Sequence, residues 1–425
     1  MKKIELKGLD ISCYRETLDN GLEVILFPYS NKKNYFMSYA TRYGSETTRF
    51  IPIGKDKEIK VPDGIAHFLE HKMFEQEDGI DPFTYFSKSG TGSNASTSFD
   101  STQYICYGNK NFIDNLKFLL RFVNEPYYTD ENVEKEKGII AEELKMYDDI
   151  PDFRLEMKLR ENVYHNHPRR VDVGGSIPEV YKTTKEDLYT CYENFYSPNN
   201  MFLLIVGNFP KDETIKTIRE SLEDIPNRGK PVITPIDEKT SIRKSYEEIT
   251  GPITLPKIGV GLKVDTSSLK LSPIEKDLYL MMITTIMFGG SSLFREEARN
   301  KKILNSLYTE WESIPSIDVF YLMATSTKPK SLLEEIEKLF KDFKLDIDSF
   351  NRVKKVWISN EVRMIDDIDA TVRNQYDDFL NYKEIIPNKI DIIRNLSFDT
   401  LIDIYNKIDF NNKAVVVMKC DKKVK

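Results

Sequence analysis

The feature that most constrains this chain is a short segment, residues 63–74, in which two histidines stand four residues apart. It reads Asp-Gly-Ile-Ala-His-Phe-Leu-Glu-His-Lys-Met-Phe. Residues three and four apart share one face of an α-helix, so His67 and His71 can hold one metal ion through neutral imidazole nitrogens. The apolar positions 65, 68, 69 and 74 predict that the rest of this helix is buried, and Asp63 is its expected N-cap.

Glu70 lies between the two histidines and cannot easily reach the same ion as a third ligand. It stands beside the ion instead, where it can accept a proton from a water molecule that the metal activates. His-x-x-Glu-His is the inverted form of the zinc-peptidase motif His-Glu-x-x-His. The whole chain has only four histidines, so a plain helix with two unrelated histidines is the less favoured interpretation.

A catalytic zinc site needs a third protein ligand and one open position. The best candidate lies in residues 134–147, where an apolar stripe at positions 133, 140, 144 and 147 predicts a helix with one buried face. This spacing turns Glu143 toward the interior and Glu142 toward water. We predict Glu143 as the third ligand and Glu136, two turns earlier, as a carboxylate that orients the site. The alternative is that both are ordinary surface glutamates of a segment rich in Lys and Glu.

Composition limits the range of partners. The 425 residues are 40% hydrophobic, which is enough for a large packed core and suggests two or more domains. The formal net charge is −7 and no long basic block occurs. Nucleic acid and anionic membrane surfaces are therefore not expected as partners.

Cysteine usage and hydropathy bear on location. The four cysteines are far apart and form no Cys-x-x-Cys pair, so they are expected to be reduced thiols in a cytoplasmic protein. The first ten residues contain no apolar core of a secretory signal. No run of about 18 apolar residues predicts a membrane span, and the apolar stretch 278–288 is expected to be a buried helix.

The segment after the metal helix bears on substrate binding. Residues 102–107 alternate as a strand does, whereas residues 92–99 are small and polar. Composition alone favours a solvated loop for residues 92–99. The alternative is an edge strand, which could pair with an extended peptide substrate beside the metal.

The second half of the chain repeats the order of elements in the first. A strand at 258–264, a buried helix at 276–288, strands at 307–311 and 319–326, two helices and a final strand at 414–418 follow a linker at 225–245. All four histidines lie before residue 168. We predict a duplicated fold with domains at 1–228 and 229–425, of which only the first carries the metal motif.

Several segments resemble the pitrilysin, insulysin and mitochondrial-processing-peptidase family. The histidine motif is the specific one, and the likeness covers most of residues 14–225 and, more weakly, the second half. It is supported by the Glu136 and Glu143 pair, by Asn-Ala-Ser-Thr at 94–97, by Gly-Ser-Ile-Pro-Glu at 175–179, and by residues 196–201 leading into 205–208.

The resemblance implies an α+β fold of two homologous α/β domains, each an open, mostly antiparallel sheet backed by helices. It implies one Zn²⁺ per chain, bound by His67, His71 and Glu143, with Glu70 as general base and Glu136 supporting the site. It also implies that the 94–97 segment is the substrate-pairing edge strand, with Asn94 and Ala95 as the residues that contact the peptide.

The resemblance also bears on partners and on the second domain. It implies an assembly of two chains, either a homodimer or a heterodimer with a paralogue that lacks the metal motif. Within the family the sequence resembles a bacterial branch named for 5-aminopentanol modification of elongation factor P. Family members use an Arg and a Tyr of the second domain on the substrate carbonyl. Arg299 and Tyr308 are the candidates, although their spacing departs from the family pattern.

These observations predict a zinc endopeptidase that hydrolyses peptides or unfolded polypeptide segments. The alternative is a non-catalytic or partner-dependent assembly subunit that keeps the fold. The irregular spacing of Arg299 and Tyr308 favours the alternative, whereas the complete set of His67, Glu70, His71 and Glu143 favours the enzyme.

Overall fold

The computed structural model describes residues 1–421, which divide into two compact units. Each unit takes a segment from the other half of the sequence, so the units differ from the predicted contiguous domains 1–228 and 229–425. Unit 1 comprises residues 1–144, 171–235 and 362–388, and unit 2 comprises residues 145–170, 236–361 and those from 389 onward.

The first half of the chain supplies most elements of unit 1 and one helix, at 151–163, of unit 2. Its strands are β1 Lys2–Leu6, β2 Ile11–Thr17, β3 Glu23–Pro28, β4 Tyr35–Thr41, β5 Arg49–Ile51, β6 Ile59–Lys60, β7 Gly92–Thr97, β8 Thr102–Gly108 and β9 Met201–Gly207. Its helices are α1 Ile65–Met73, α2 Pro82–Lys88, α3 Phe112–Asn124, α4 Asp130–Asp148, α5 Pro151–Val163, α6 Ile177–Lys182, α7 Lys185–Phe195 and α8 Lys211–Ser221.

The second half again alternates strands and helices. Its strands are β10 Val232–Ile233, β11 Tyr246–Gly251, β12 Lys257–Asp265, β13 Ser306–Ile314, β14 Ile317–Thr325 and β15 Lys413–Cys420. Its helices are α9 Pro273–Phe288, α10 Leu293–Asn300, α11 Pro329–Asp342, α12 Ile347–Met364, α13 Ile368–Tyr382, α14 Lys389–Asn395 and α15 Phe398–Tyr405. The predicted linker 225–245 is irregular apart from β10, which pairs with β5.

The main sheet of unit 1 has the order β1-β2-β3-β9-β4-β8-β7. β3 and β9 run parallel, and the other neighbours are antiparallel. β9 is buried along its whole length because both faces of the sheet are covered. Leu203 joins the core beneath α1 and α3, whereas Phe202 packs against Tyr376 and Phe379 of α13. β7 is the free edge of this sheet on the side of α1.

The sheet of unit 2 has the order β11-β15-β12-β14-β13. β11 and β15 run parallel and the other neighbours are antiparallel, which reproduces the β3-β9-β4-β8-β7 part of the first sheet. The predicted duplication of an open, mostly antiparallel sheet backed by helices is therefore confirmed. α5 packs on β12 and β15, and α13 packs on the equivalent strands β4 and β9. α5 lies in the first half of the sequence but belongs to unit 2, and α13 lies in the second half but belongs to unit 1.

α9 occupies the place in the second repeat that α1 occupies in the first, between the equivalents of β4 and β7. It carries no histidine and most of its residues are buried, as predicted. Residues 273–300 are long and apolar enough to cross a membrane, with 61% of their most apolar window buried. A core helix has the same composition, and residues 289–292 separate this stretch into α9 and α10.

Candidate metal centre

The start of α1 is fixed by close contact between two backbone segments. The N-cap is Gly64, with φ of 86°, and not Asp63 as the sequence suggested. A Cβ at Gly64 would lie 2.1 Å from the carbonyl oxygen of Gly174, and one at Gly175, with φ of 79°, would lie 2.2 Å from the carbonyl oxygen of Asp63. Both positions require glycine because of the left-handed φ and the close approach. The 174–175 loop thereby holds the start of the histidine helix.

α1 and α4 bring the three predicted ligands together. Glu143 Oε2 lies 3.2 Å from His71 Nε2 and 3.8 Å from His67 Nε2. One donor atom from each of the three residues lies within 4.8 Å of the others. Three ligand atoms in a tetrahedral zinc site lie about 3.4 Å apart, given zinc–ligand distances of about 2.1 Å. Both the donor set, two imidazoles and a carboxylate, and its spacing therefore fit a zinc ion.

Glu136 orients one of the histidines from behind. Its Oε1 lies 2.9 Å from His71 Nδ1, which leaves His71 Nε2 directed at Glu143. A carboxylate on the far nitrogen is the usual support of a metal-binding histidine because it fixes the ring and its tautomer. Glu142 is exposed and Glu143 half-buried, as the helical spacing predicted. The two carboxylates of α4 thus hold His71 from opposite sides.

The protonation of the two histidines differs strongly. Burial and the neighbouring His71 lower the pKa of His67 to about 4. Burial also acts to lower the pKa of His71, but the carboxylates of Glu136 and Glu143 outweigh it and raise that pKa to about 9. Without an ion the site therefore holds one protonated imidazole between two carboxylates near neutral pH. A metal ion would displace that proton, so metal binding is expected to be weaker in acid.

Glu70 lies outside the ligand cluster, as predicted. Its Oε2 accepts a hydrogen bond of 2.6 Å from the hydroxyl of Thr97, at the end of β7. Burial raises the pKa of Glu70, and the hydrogen bond from Thr97 opposes that shift. Glu70 is thus a half-buried carboxylate one helical position from the predicted ligand His71, where a general base is needed.

The substrate-binding prediction concerned Asn94 and Ala95. Residues 92–97 form the edge strand β7 and not the loop that composition favoured, because they pair with β8 over their whole length. A cavity of about 550 Å³ is lined by Glu70, His71, Asn94 and Ala95 together. Its wall also includes the stacked rings of Phe74 and Phe83. Glu70, the predicted ligand His71 and the edge strand therefore border one open space.

Arg299 and Tyr308 lie in unit 2. Arg299 is exposed on α10, and Tyr308 is 61% exposed on β13, where its hydroxyl donates to Glu310 over 3.2 Å. Among the described residues, no hydrogen bond or cation–ring contact joins these two side chains. Another arginine of this segment, Arg295, donates a hydrogen bond of 2.9 Å to the carbonyl oxygen of Leu307 in β13. The predicted role of Arg299 and Tyr308 on substrate stays a prediction.

Two residues of the site escaped the sequence analysis. Lys72 is completely buried and forms an ion pair with Glu75. Its position on the apolar stripe of α1 was a signal that could have found it. The contact of Thr97 with Glu70 had no such signal, because it joins a strand to a helix 27 residues away in sequence.

Fold and site together place the chain among the M16 peptidases. It belongs to this family: residues 43–174 match the family described as insulinase (peptidase family M16), and residues 182–356 match that described as peptidase M16 inactive domain.

The relatives named here cover between 69% and 98% of this chain. A Bacillus subtilis protein named uncharacterized zinc protease YmfH is 34% identical over 415 residues, which cover 96% of each chain. The alpha subunit of the human mitochondrial-processing peptidase is 27% identical over 314 residues, covering 69% of this chain and 56% of that subunit. Among solved structures, an M16-like peptidase from Alicyclobacillus acidocaldarius has a TM-score of 0.91 at 30% identity, covering 98% of this chain and all of that one, 100%.

Proposed function

We propose that this protein is a zinc-dependent endopeptidase that hydrolyses peptides or unfolded polypeptide segments. The observation that carries the proposal is the convergence of His67, His71 and Glu143, with Glu70 beside them and an edge strand along the same cavity. Membership of the family and the names of the relatives support it. The three converging residues would hold one zinc ion, with Glu136 orienting His71.

The chemistry divides between the ion and this chain's side chains. A zinc ion held there supplies a Lewis acid for the scissile carbonyl and lowers the pKa of the attacking water. Glu70 accepts the proton that this water loses as its oxygen bonds to the carbonyl carbon. When the carbon–nitrogen bond breaks, Glu70 passes the proton to the leaving amine. β7 aligns the peptide by adding it to the sheet as a further strand.

The test compares three proteins: the wild type, Glu70→Gln, and the control Glu77→Gln, which changes an exposed glutamate four residues beyond the helix. Bound zinc is measured by mass spectrometry and turnover on a quenched fluorescent peptide library. We expect one zinc per chain in all three, and turnover that is lost only in Glu70→Gln. Zinc without turnover in the wild type, alone or with a paralogue from the same genome, would favour the assembly subunit. A wild type that binds no zinc would overturn the ligand assignment.

We further propose that the active form contains two chains, as a homodimer or with a paralogue that lacks the metal motif. The support is the likeness to a subunit of the mitochondrial-processing peptidase, at 27% identity. Light scattering of the protein alone and of the co-expressed pair tests this. A monomer with full turnover would contradict it. The cytoplasmic location and the link to elongation factor P stay predictions.

A further inference from the structure

The hydroxyl of Thr97 joins the edge strand to the side chain that the proposed mechanism uses as its base. Thr97 is the last residue of β7, and its Oγ1 lies 2.6 Å from Glu70 Oε2. Among residues 1–421, no other side chain donates a hydrogen bond to this carboxylate. The contact therefore decides how Glu70 is oriented toward the cavity that it lines.

The direction of this hydrogen bond follows from the neighbouring groups. The hydroxyl of Thr102 donates to the carbonyl oxygen of Tyr43 over 2.9 Å, so its hydrogen is already engaged. Thr97 and Thr102 face each other with their oxygens 3.3 Å apart. An ionised carboxylate only accepts hydrogen bonds. Thr97 therefore donates its single hydroxyl hydrogen to Glu70, and the bond is of the strong, charge-assisted kind.

The anchor behind Thr97 is rigid. Thr102 and Tyr43 are fully buried, and Thr97 pairs with Thr102 across the β7–β8 ladder. Because both hydroxyl hydrogens are engaged elsewhere, the two threonine oxygens are in contact without a hydrogen bond, and Thr97 is anchored by its strand pairing with the buried Thr102. The backbone N–H of Thr97 is a further donor to this carboxylate and acts to lower its pKa, so the last residue of β7 holds Glu70 through two groups.

We infer that Thr97 is a positioning residue, which aligns Glu70 and couples that alignment to β7. The inference rests on the proposed peptidase function and deepens it. A peptide that pairs with β7 orders the strand whose last residue holds the base, so substrate binding itself improves the alignment of Glu70. Loss of the hydroxyl leaves the ligands and the edge strand intact but allows the carboxylate to rotate. Misplacement of a catalytic group by about 1 Å costs roughly a hundredfold in rate.

The experiment uses Thr97→Val, which keeps the shape and strand preference without the hydroxyl, and Thr97→Ser, which keeps the hydroxyl. Zinc content, kcat and KM are measured for both, beside the wild type and Glu70→Gln. We expect Thr97→Val to lose roughly ten- to a hundredfold in kcat with KM and zinc content unchanged. Thr97→Ser is expected to stay within about threefold of the wild type.

Crystal structures of the two zinc-loaded variants supply a readout that does not depend on turnover. We expect the Glu70 carboxylate to move in Thr97→Val and to keep its place in Thr97→Ser. A Thr97→Val protein with wild-type kcat and an unmoved Glu70 would overturn the inference, and so would a loss confined to KM. If the wild type itself has no turnover, the proposed function fails, and the position of Glu70 in the two crystal structures still tests the role of Thr97.

Discussion

At the scale of single residues, Glu143 and Glu142 form a natural pair for testing the metal site. Glu143 Oε2 lies 3.2 Å from His71 Nε2, whereas Glu142 is exposed on the same turn of α4. We expect Glu143→Gln to lower zinc affinity by at least the roughly 10–100-fold that outer partners of metal ligands contribute. Glu142→Gln should bind zinc as the wild type does. Calorimetric zinc titration of both variants checks this, and equal affinities would remove Glu143 from the ligand set.

His167 supplies a second prediction, on stability against pH. It is 3% exposed, and burial with the nearby Arg169 lowers its pKa to about 4. Below the ordinary histidine pKa of about 6.5, His167 is protonated in the unfolded chain but stays neutral in the folded protein. Folding stability therefore falls as pH drops from about 6.5 to about 4, by at most about 3 kcal/mol from this residue.

The variant His167→Gln isolates this effect. The ring Nδ1 accepts a hydrogen bond from the backbone N–H of Arg169 at 3.3 Å. The side-chain oxygen of a glutamine can serve as the acceptor in place of this nitrogen. We expect the free energy of unfolding, measured by urea denaturation, to fall less steeply between pH 6.5 and pH 4 in the variant. Identical slopes in the variant and the wild type would show that His167 does not contribute.

The candidate ligands could be picked out from sequence because helical spacing is a local property. His67 and His71 share a turn, and the apolar stripe of α4 fixed which glutamate faces inward. One detail of the same site depends on distant backbone and was not predictable. Gly64 replaces Asp63 as N-cap because the 174–175 loop presses on the start of α1.

At the scale of elements, β7 is where composition misled. Its small polar residues favour a loop. The strand forms here because it pairs with β8, and the intrinsic strand propensity of the residues does not include such pairing. The same pairing leaves the other edge of β7 free. The N–H of Ala95 donates to the side chain of Asn94 at 3.0 Å and not across the ladder to β8. This N–H therefore points away from β8, where the carbonyl of an incoming peptide strand can take the place of the Asn94 oxygen as its acceptor.

A variant that lacks the Ala95 N–H tests whether peptides add to β7 as a further strand. Ala95→Pro deletes one outward N–H, and proline is tolerated on an edge strand when its missing N–H faces away from the ladder. We expect KM for peptides to rise roughly two- to tenfold, as for the loss of one hydrogen bond, with zinc content unchanged. Ala95→Ser, which keeps the N–H, is the matched control. Unchanged KM in the proline variant would argue against strand addition along β7.

At the scale of the whole molecule, the order of elements predicted the duplication but not the exchange of helices. The two halves have the same order of elements along the chain, and their sheets share the same non-sequential strand order. The packing of α5 on β12 and β15, and of α13 on β4 and β9, depends on contacts between distant segments. A boundary at 228/229 therefore separates each of these helices from the sheet it covers.

This arrangement predicts that neither half of the sequence folds alone. Residues 1–228 lack α13, whose Tyr376 and Phe379 pack on Phe202 with ring centroids 5.3 and 5.2 Å apart. Without this helix one face of the central strand β9 would be exposed to water. The free energy gained by burying several large apolar side chains would then be lost. We expect residues 1–228 expressed alone to aggregate and to bind no zinc. Co-expression with residues 229–425 should restore a soluble, zinc-binding pair, because the exchanged helices are then both present. A soluble 1–228 fragment with native zinc affinity would instead mean that α13 is dispensable and that the contiguous domains fold independently.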